Sequence, residues 1–211
     1  MYFETADRDI RALPKLEVCV HVNIALIVKF IQNYFFNPAD DLPVIGRRDE
    51  AANDDFLFDQ GPTRGLGKIR FGDWSEVFGR FDQPNVALFT EQAEGFKAML
   101  AAEPPNAEQT KDTDWLLAVG EMFTLIVYAQ LVLENAEIYD IDPDLTDEIF
   151  DVYVRDFSRF ATQLHTNAAT TPEQGTHALE LIRKPVADPA RYQRVRETHV
   201  HAKRDTCEMN P

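Results

Sequence analysis

Apolar residues recur at helical spacing through most of this chain. Val20, Ile24, Ile27, Phe30 or Ile31, and Tyr34 stand three or four apart and predict a helix from about Leu16 to Phe36. Pro14 marks its start. Asn37-Pro38 ends it, because proline cannot continue a helix and restricts the residue before it. Phe89, Ala93, Phe96 and Leu100 mark one face of a second helix that stops before Pro104-Pro105. Asp112 or Thr113 caps a third, running to about Tyr139 and apolar nearly all round between Leu116 and Leu133. That lack of a polar face predicts a place at the centre of a bundle. Asp142-Pro143 opens a fourth helix, with Leu145, Ile149, Val152 or Tyr153, Phe157, Phe160 and Leu164 as its stripe. Thr171-Pro172 and Asp188-Pro189 repeat the start signal for two shorter helices.

Between the first two helices the pattern breaks down. Residues 38–83 are dense in glycine and proline and show no clear period. Phe56-Leu57-Phe58 and Ile69-Arg70-Phe71 are candidates for a short hairpin. The aromatics Phe56, Phe58, Phe71, Trp74, Phe78 and Phe81 favour a connection that wraps the helices, since disordered segments are poor in such residues. The fold class that follows is all-α: a helical bundle with an irregular glycine- and proline-rich connection, divided as 1–37, 38–83 and 84–211.

Charge changes the picture next. The net charge of −15 disfavours nucleic acid or an anionic membrane as a partner of the whole molecule. The distribution is uneven, with seven Lys/Arg against two acidic residues between Arg183 and Arg204. A solvated helix pair that balances the acidic bundle accounts for this segment, and contact with an anionic partner is the functional alternative. Cys19 and Cys207 are too few for a disulfide framework or a zinc site, so a cytoplasmic location is the expectation. The first fifteen residues hold no apolar signal core. Trp115–Leu133 is the membrane candidate, but Glu121, Thr124 and Gln130 within it favour a buried core helix and no transmembrane segment.

Few patterns carry chemistry. Gly61-Pro-Thr-Arg-Gly65-Leu-Gly67-Lys68 departs from phosphate-loop spacing at Pro62 and Ile69, and a tight turn explains its glycines. Asp140-Ile-Asp142-Pro-Asp144 opens like a calcium loop, yet Leu145 stands where that loop needs glycine. Carboxylates at a helix N-terminus explain the cluster without metal. His199-x-His201 has no third ligand placed beside it, and no metal site is expected. Glu121 reads as a paired core carboxylate with an unnamed partner.

One stretch is more specific. Arg8-Asp9-Ile10-Arg11, followed by Glu17, resembles the end of an acyl-CoA dehydrogenase, where an Arg-Asp segment leads to a glutamate base. The resemblance covers Asp7–Phe36 and is looser beyond Asn37, where the helices look like the C-terminal extension of larger family members. It implies that Glu17 is the catalytic base, that Cys19 and His21 occupy cofactor-contacting positions, and that FAD is the cofactor of the complete enzyme. Val18 replaces the family's glycine, Cys19 its threonine and His21 its common glutamine. Removing a thioester α-proton needs a carboxylate of raised pKa, which apolar neighbours such as Leu16, Val18 and Val20 favour. The resemblance further implies an acyl-CoA substrate, an electron-transfer flavoprotein or similar acceptor, and an oligomer or a missing N-terminal polypeptide. On that reading 1–37 closes the catalytic helical domain and 84–211 is the extension, with no flavin held by this chain alone. The alternative is a non-catalytic helical module for oligomerisation or interaction.

Overall fold

The computed structural model describes residues 20–40, 42 and 69–204, with side chains from 21 onward, and among these every regular element is helical. The chain is an all-α bundle. Helix α1 (Val20–Ile27) passes through a 3-10 turn at Val28–Phe30 into α2 (Ile31–Phe36). Then come α3 (Trp74–Phe78), α4 (Pro84–Ala102), α5 (Thr113–Ile138), α6 (Pro143–Thr166), α7 (Pro172–Glu180) and α8 (Pro189–Val195). A π turn at Arg196–Val200 and a 3-10 turn at His201–Lys203 follow α8.

The caps read from sequence are in place, and each satisfies amide groups that a helix N-terminus leaves orphaned. Asp112 Oδ1 accepts from the Trp115 amide at 2.7 Å, and Asp142 Oδ1 from the Asp144 amide at 2.9 Å. Thr171 and Gln174 form a reciprocal capping box on α7. Asp188 accepts from the amides of Ala190 and Arg191 at 2.9 and 3.1 Å. Three expectations change. The first helix is interrupted by the turn at Val28–Phe30, and residues 16–19 lie outside the described part. The connection carries the short helix α3, capped by Asp73, whose Oδ1 accepts from the Ser75 amide at 2.9 Å. Ile69–Phe71 is not a strand: the Ala39 amide donates to Phe71 O at 2.8 Å and Asn33 Nδ2 to Ile69 O at 3.1 Å. Phe56–Phe58 and Gly61–Lys68 lie outside the described residues.

Aromatic rings join these elements into one core. Phe35 meets Trp74 edge-on at 5.6 Å, Phe78 stacks on Phe89 at 6.1 Å, and Phe89 meets Phe157 edge-on at 5.6 Å. Such pairs add roughly 0.5–1.5 kcal/mol each beyond the area they bury. Trp74 and Phe78 are each 1% exposed, so this part of the connection does wrap the helices. The core draws on residues 20–36, 69–83 and 84–204 alike.

The hub of the bundle is α6, which packs against α4, α5, α7 and α8. By length and composition α5 is able to cross a membrane, but it buries Trp115, Val119, Met122, Phe123, Ile126 and Leu133 in the bundle. Its other side is not covered. Tyr128 is 57% and Leu131 48% exposed, so the expectation of burial all round is corrected. On α6 the buried line runs through Phe150, Val154, Phe157, Ala161 and Leu164, while Leu145 and Ile149 are half-buried and Val152 is exposed. The predicted stripe therefore mixed two faces. At the α1–α5 crossing the backbones meet closely: a Cβ on Gly120 would lie 2.6 Å from Ile24 O.

The α5–α6 turn is closed by a Schellman arrangement, with the Ile141 amide donating to Ala136 O at 2.9 Å and the Asp140 amide to Glu137 O at 3.4 Å. Asp140 occupies its left-handed position at φ 52°. Left-handed torsions cost an L-residue about 1–2 kcal/mol, somewhat less for aspartate. Asp140→Gly should raise the unfolding free energy, read from the denaturant midpoint, by about 0.5–1 kcal/mol, and Asp140→Val should lower it. Equal midpoints for the two variants would contradict this role.

Candidate functional site

Of the residues matched to the dehydrogenase motif, Glu17 and Cys19 lie outside the described part. His21 is exposed on the first turn of α1 and lines a cleft of about 320 Å³ with Asp114, Glu121, Gln163 and Asn167. Glu121 is half-exposed at this cleft, so it is not the paired core carboxylate expected from sequence. Neither Glu121 nor Asp114 forms an ion pair among the described residues. The cleft presents acids where a flavin pyrophosphate or the phosphates of CoA would need cations or amide donors.

A second, apolar hollow of about 510 Å³ lies nearer the α5–α6 turn, between Tyr128, Leu131, Val132, Ile141, Leu145 and Ile149. The two hollows share one seam. On α5, Asp114, Ala118, Glu121, Leu125, Tyr128, Val132 and Asn135 follow alternating steps of four and three residues. On α6, Leu145, Ile149, Val152, Asp156, Arg159, Gln163 and Thr166 keep the same phase. Side chains at that spacing line one face of a helix, and two such faces in contact leave a furrow. From Leu145 to Gln163 the furrow is about 27 Å long at 1.5 Å per residue. Its turn end is apolar, with Ile141 38% and Val152 47% exposed. Its far end is acidic and polar.

Part of the basic C-terminal segment pairs with carboxylates of the bundle itself. Arg191 is 5% exposed, pairs with Asp147, and donates from Nε to Glu148 Oε1 at 2.7 Å. Asn85 completes the cluster: its amide donates to Asp147 Oδ1 at 2.7 Å, and its own Oδ1 accepts from the Val186 amide at 2.7 Å. Arg194 donates to Asp144 Oδ2 at 2.6 Å, and His199 Nε2 lies 2.9 Å from Asp142 Oδ2. The hydrogen bond from Arg194 holds the Asp144 carboxyl below its usual range. Of the carboxylates that resembled a calcium loop, Asp142 caps α6 and faces His199, and Asp144 pairs with Arg194 of this basic strap. His201 Nε2 accepts from Arg196 Nε at 2.9 Å, and among the described residues no His, Cys, Asp and Glu cluster could hold a metal.

Sequence reading missed the seam residues Tyr128, Leu131, Ile141 and Val152. A helix apolar on every side, with neighbours on only part of its surface, must leave apolar area uncovered, and that was the available signal. The chain matches no protein-family model, no characterised protein and no solved structure.

Proposed function

We propose that this chain is a helical protein-binding module whose α5–α6 seam receives another polypeptide. The observation that carries the reading is the set of exposed apolar residues Tyr128 and Leu131 on α5, Ile141 in the turn and Val152 on α6. Isolated exposed apolar residues need no explanation, but Tyr128, Leu131 and Ile141 gathered around one apolar hollow between two helices have the form of a groove for an amphipathic helix.

The second reading is that Glu17 supplies the base of a flavin site completed by another polypeptide. It rests on the register of Arg8-Asp9, Arg11 and Glu17. The acidic surroundings of His21 weigh against flavin at that point of the surface.

One experiment separates the two. A photo-crosslinking residue placed at position 131 should capture a discrete protein in the source cells, whereas the same residue at position 173 on α7 should not. Val152→Asp should abolish the capture from 131 without lowering the melting temperature. Equal capture from both positions, or purification of the chain with stoichiometric flavin absorbance, overturns the module reading.

A further inference from the structure

Resting on the protein-binding reading, we infer that the occupant of the seam is a basic amphipathic helix, laid along α5 and α6 with its apolar residues at the turn end. Three observations lead there. The first is shape. Both walls repeat every seven residues, so a third helix with apolar residues at steps of three and four would set its side chains between those of α5 and α6. An extended strand has a period of two and would present alternate side chains to solvent.

The second is charge along the furrow. Asp114 and Glu121 line its far end, while midway along α6 Asp156 pairs with Arg159 at 3.3 Å and adds little net charge. At the turn end Asp140 is exposed. The strap pairs with Asp144, Asp147 and Glu148 and contributes no residue to the lining of either hollow. An occupant with Lys or Arg beyond its apolar residues would meet the carboxylates of the far end.

The third weighs against the simplest rival. A second copy of this chain would bring two bodies of charge −15 together, against their mutual repulsion. Complementary charge instead raises the encounter rate and fixes the direction of the incoming helix. Because the far end is polar as well as acidic, the apolar anchors of the occupant fall in roughly half its length.

The test uses the full chain and a fluorescent synthetic helix about eighteen residues long, carrying Leu on one face and Lys elsewhere. A counterpart replaces each Lys by Gln. Anisotropy titration should show the basic peptide binding at least tenfold more tightly than the neutral one at low salt, with the gap closing as salt rises. The double variant Asp114→Lys with Glu121→Lys should weaken the basic peptide roughly tenfold and leave the neutral one unchanged. Val152→Asp should weaken both. Circular dichroism melts of the variants confirm that they fold. Equal affinity for the two peptides would overturn the basic-helix inference while leaving the module reading intact. Binding of neither peptide, alongside successful capture from position 131, would overturn the helix geometry as well. A concentration-dependent dimer abolished by Val152→Asp would show that the occupant is a second copy.

Discussion

Replacing Arg191 by methionine is expected to destabilise the bundle by about 3–5 kcal/mol, the usual cost of leaving a buried charge unpaired. Asp147 is 1% exposed and lies against Arg191, so methionine removes the cation and leaves the carboxylate without water. The Asn85 amide, 2.7 Å from Asp147 Oδ1, offsets only part of that loss. The double variant Arg191→Met with Asp147→Asn should recover much of the stability, because a neutral amide oxygen still accepts from Asn85. A double-mutant cycle by denaturant unfolding reads the coupling. A single-variant loss below about 1 kcal/mol would mean that Asp147 is solvated or neutral, and the account of the strap would fail. Arg194 and Asp144 add a pH dependence of known sign. The Asp144 pKa is lowered by the hydrogen bond from Arg194, so its contribution is complete above the ordinary carboxylate range and is lost as pH falls through the lowered value.

The second large effect belongs to Phe123. Its ring is 1% exposed and meets Tyr34 at 5.3 Å and Phe35 at 5.9 Å, which ties α2 to α5. Truncating a buried phenylalanine costs about 3–5 kcal/mol through lost burial and the cavity left behind. Phe123→Ala should fall in that range. Leu125 is only half-buried, so Leu125→Ala should cost clearly less, about 1–2 kcal/mol, on the scale of partial side-chain burial. Thermal melts of the two variants test the sidedness of α5: equal losses would mean that the helix is covered all round. Tyr34 adds a polar tie, donating its hydroxyl to Gln130 Oε1 at 2.6 Å. Its phenol is shifted far upward by burial, with Glu134 and Asp73 adding to the effect, so it stays protonated as that donor.

Local signals were enough for the helices. Proline at the first position after Asp142, Thr171 and Asp188 acts within a few residues, so those starts were readable before any packing was known. The stop at Asn37-Pro38 is equally local, and α2 does end at Phe36. The missed helix α3 is five residues long, too short to show a period, and it forms because Trp74 and Phe78 have a core to enter. The turn at Val28–Phe30 had no sequence mark either.

Composition and periodicity by themselves determined that this protein is an acidic, all-α bundle, because spacing, caps and breakers are properties of neighbouring residues. Only the tertiary structure decided which side of an apolar helix is covered. Leu131 and Leu133 are the same residue type two positions apart, yet one is 48% and the other 0% exposed. The difference comes from the helices that happen to lie beside α5, and a chain reads out its neighbours in space only after it has folded. The same holds for Arg191, which looked like one charge of a basic tail until folding set it against Asp147, a residue forty-odd positions away. Burial and charge pairing are long-range, so the seam and the strap belong to the fold and not to any stretch of sequence.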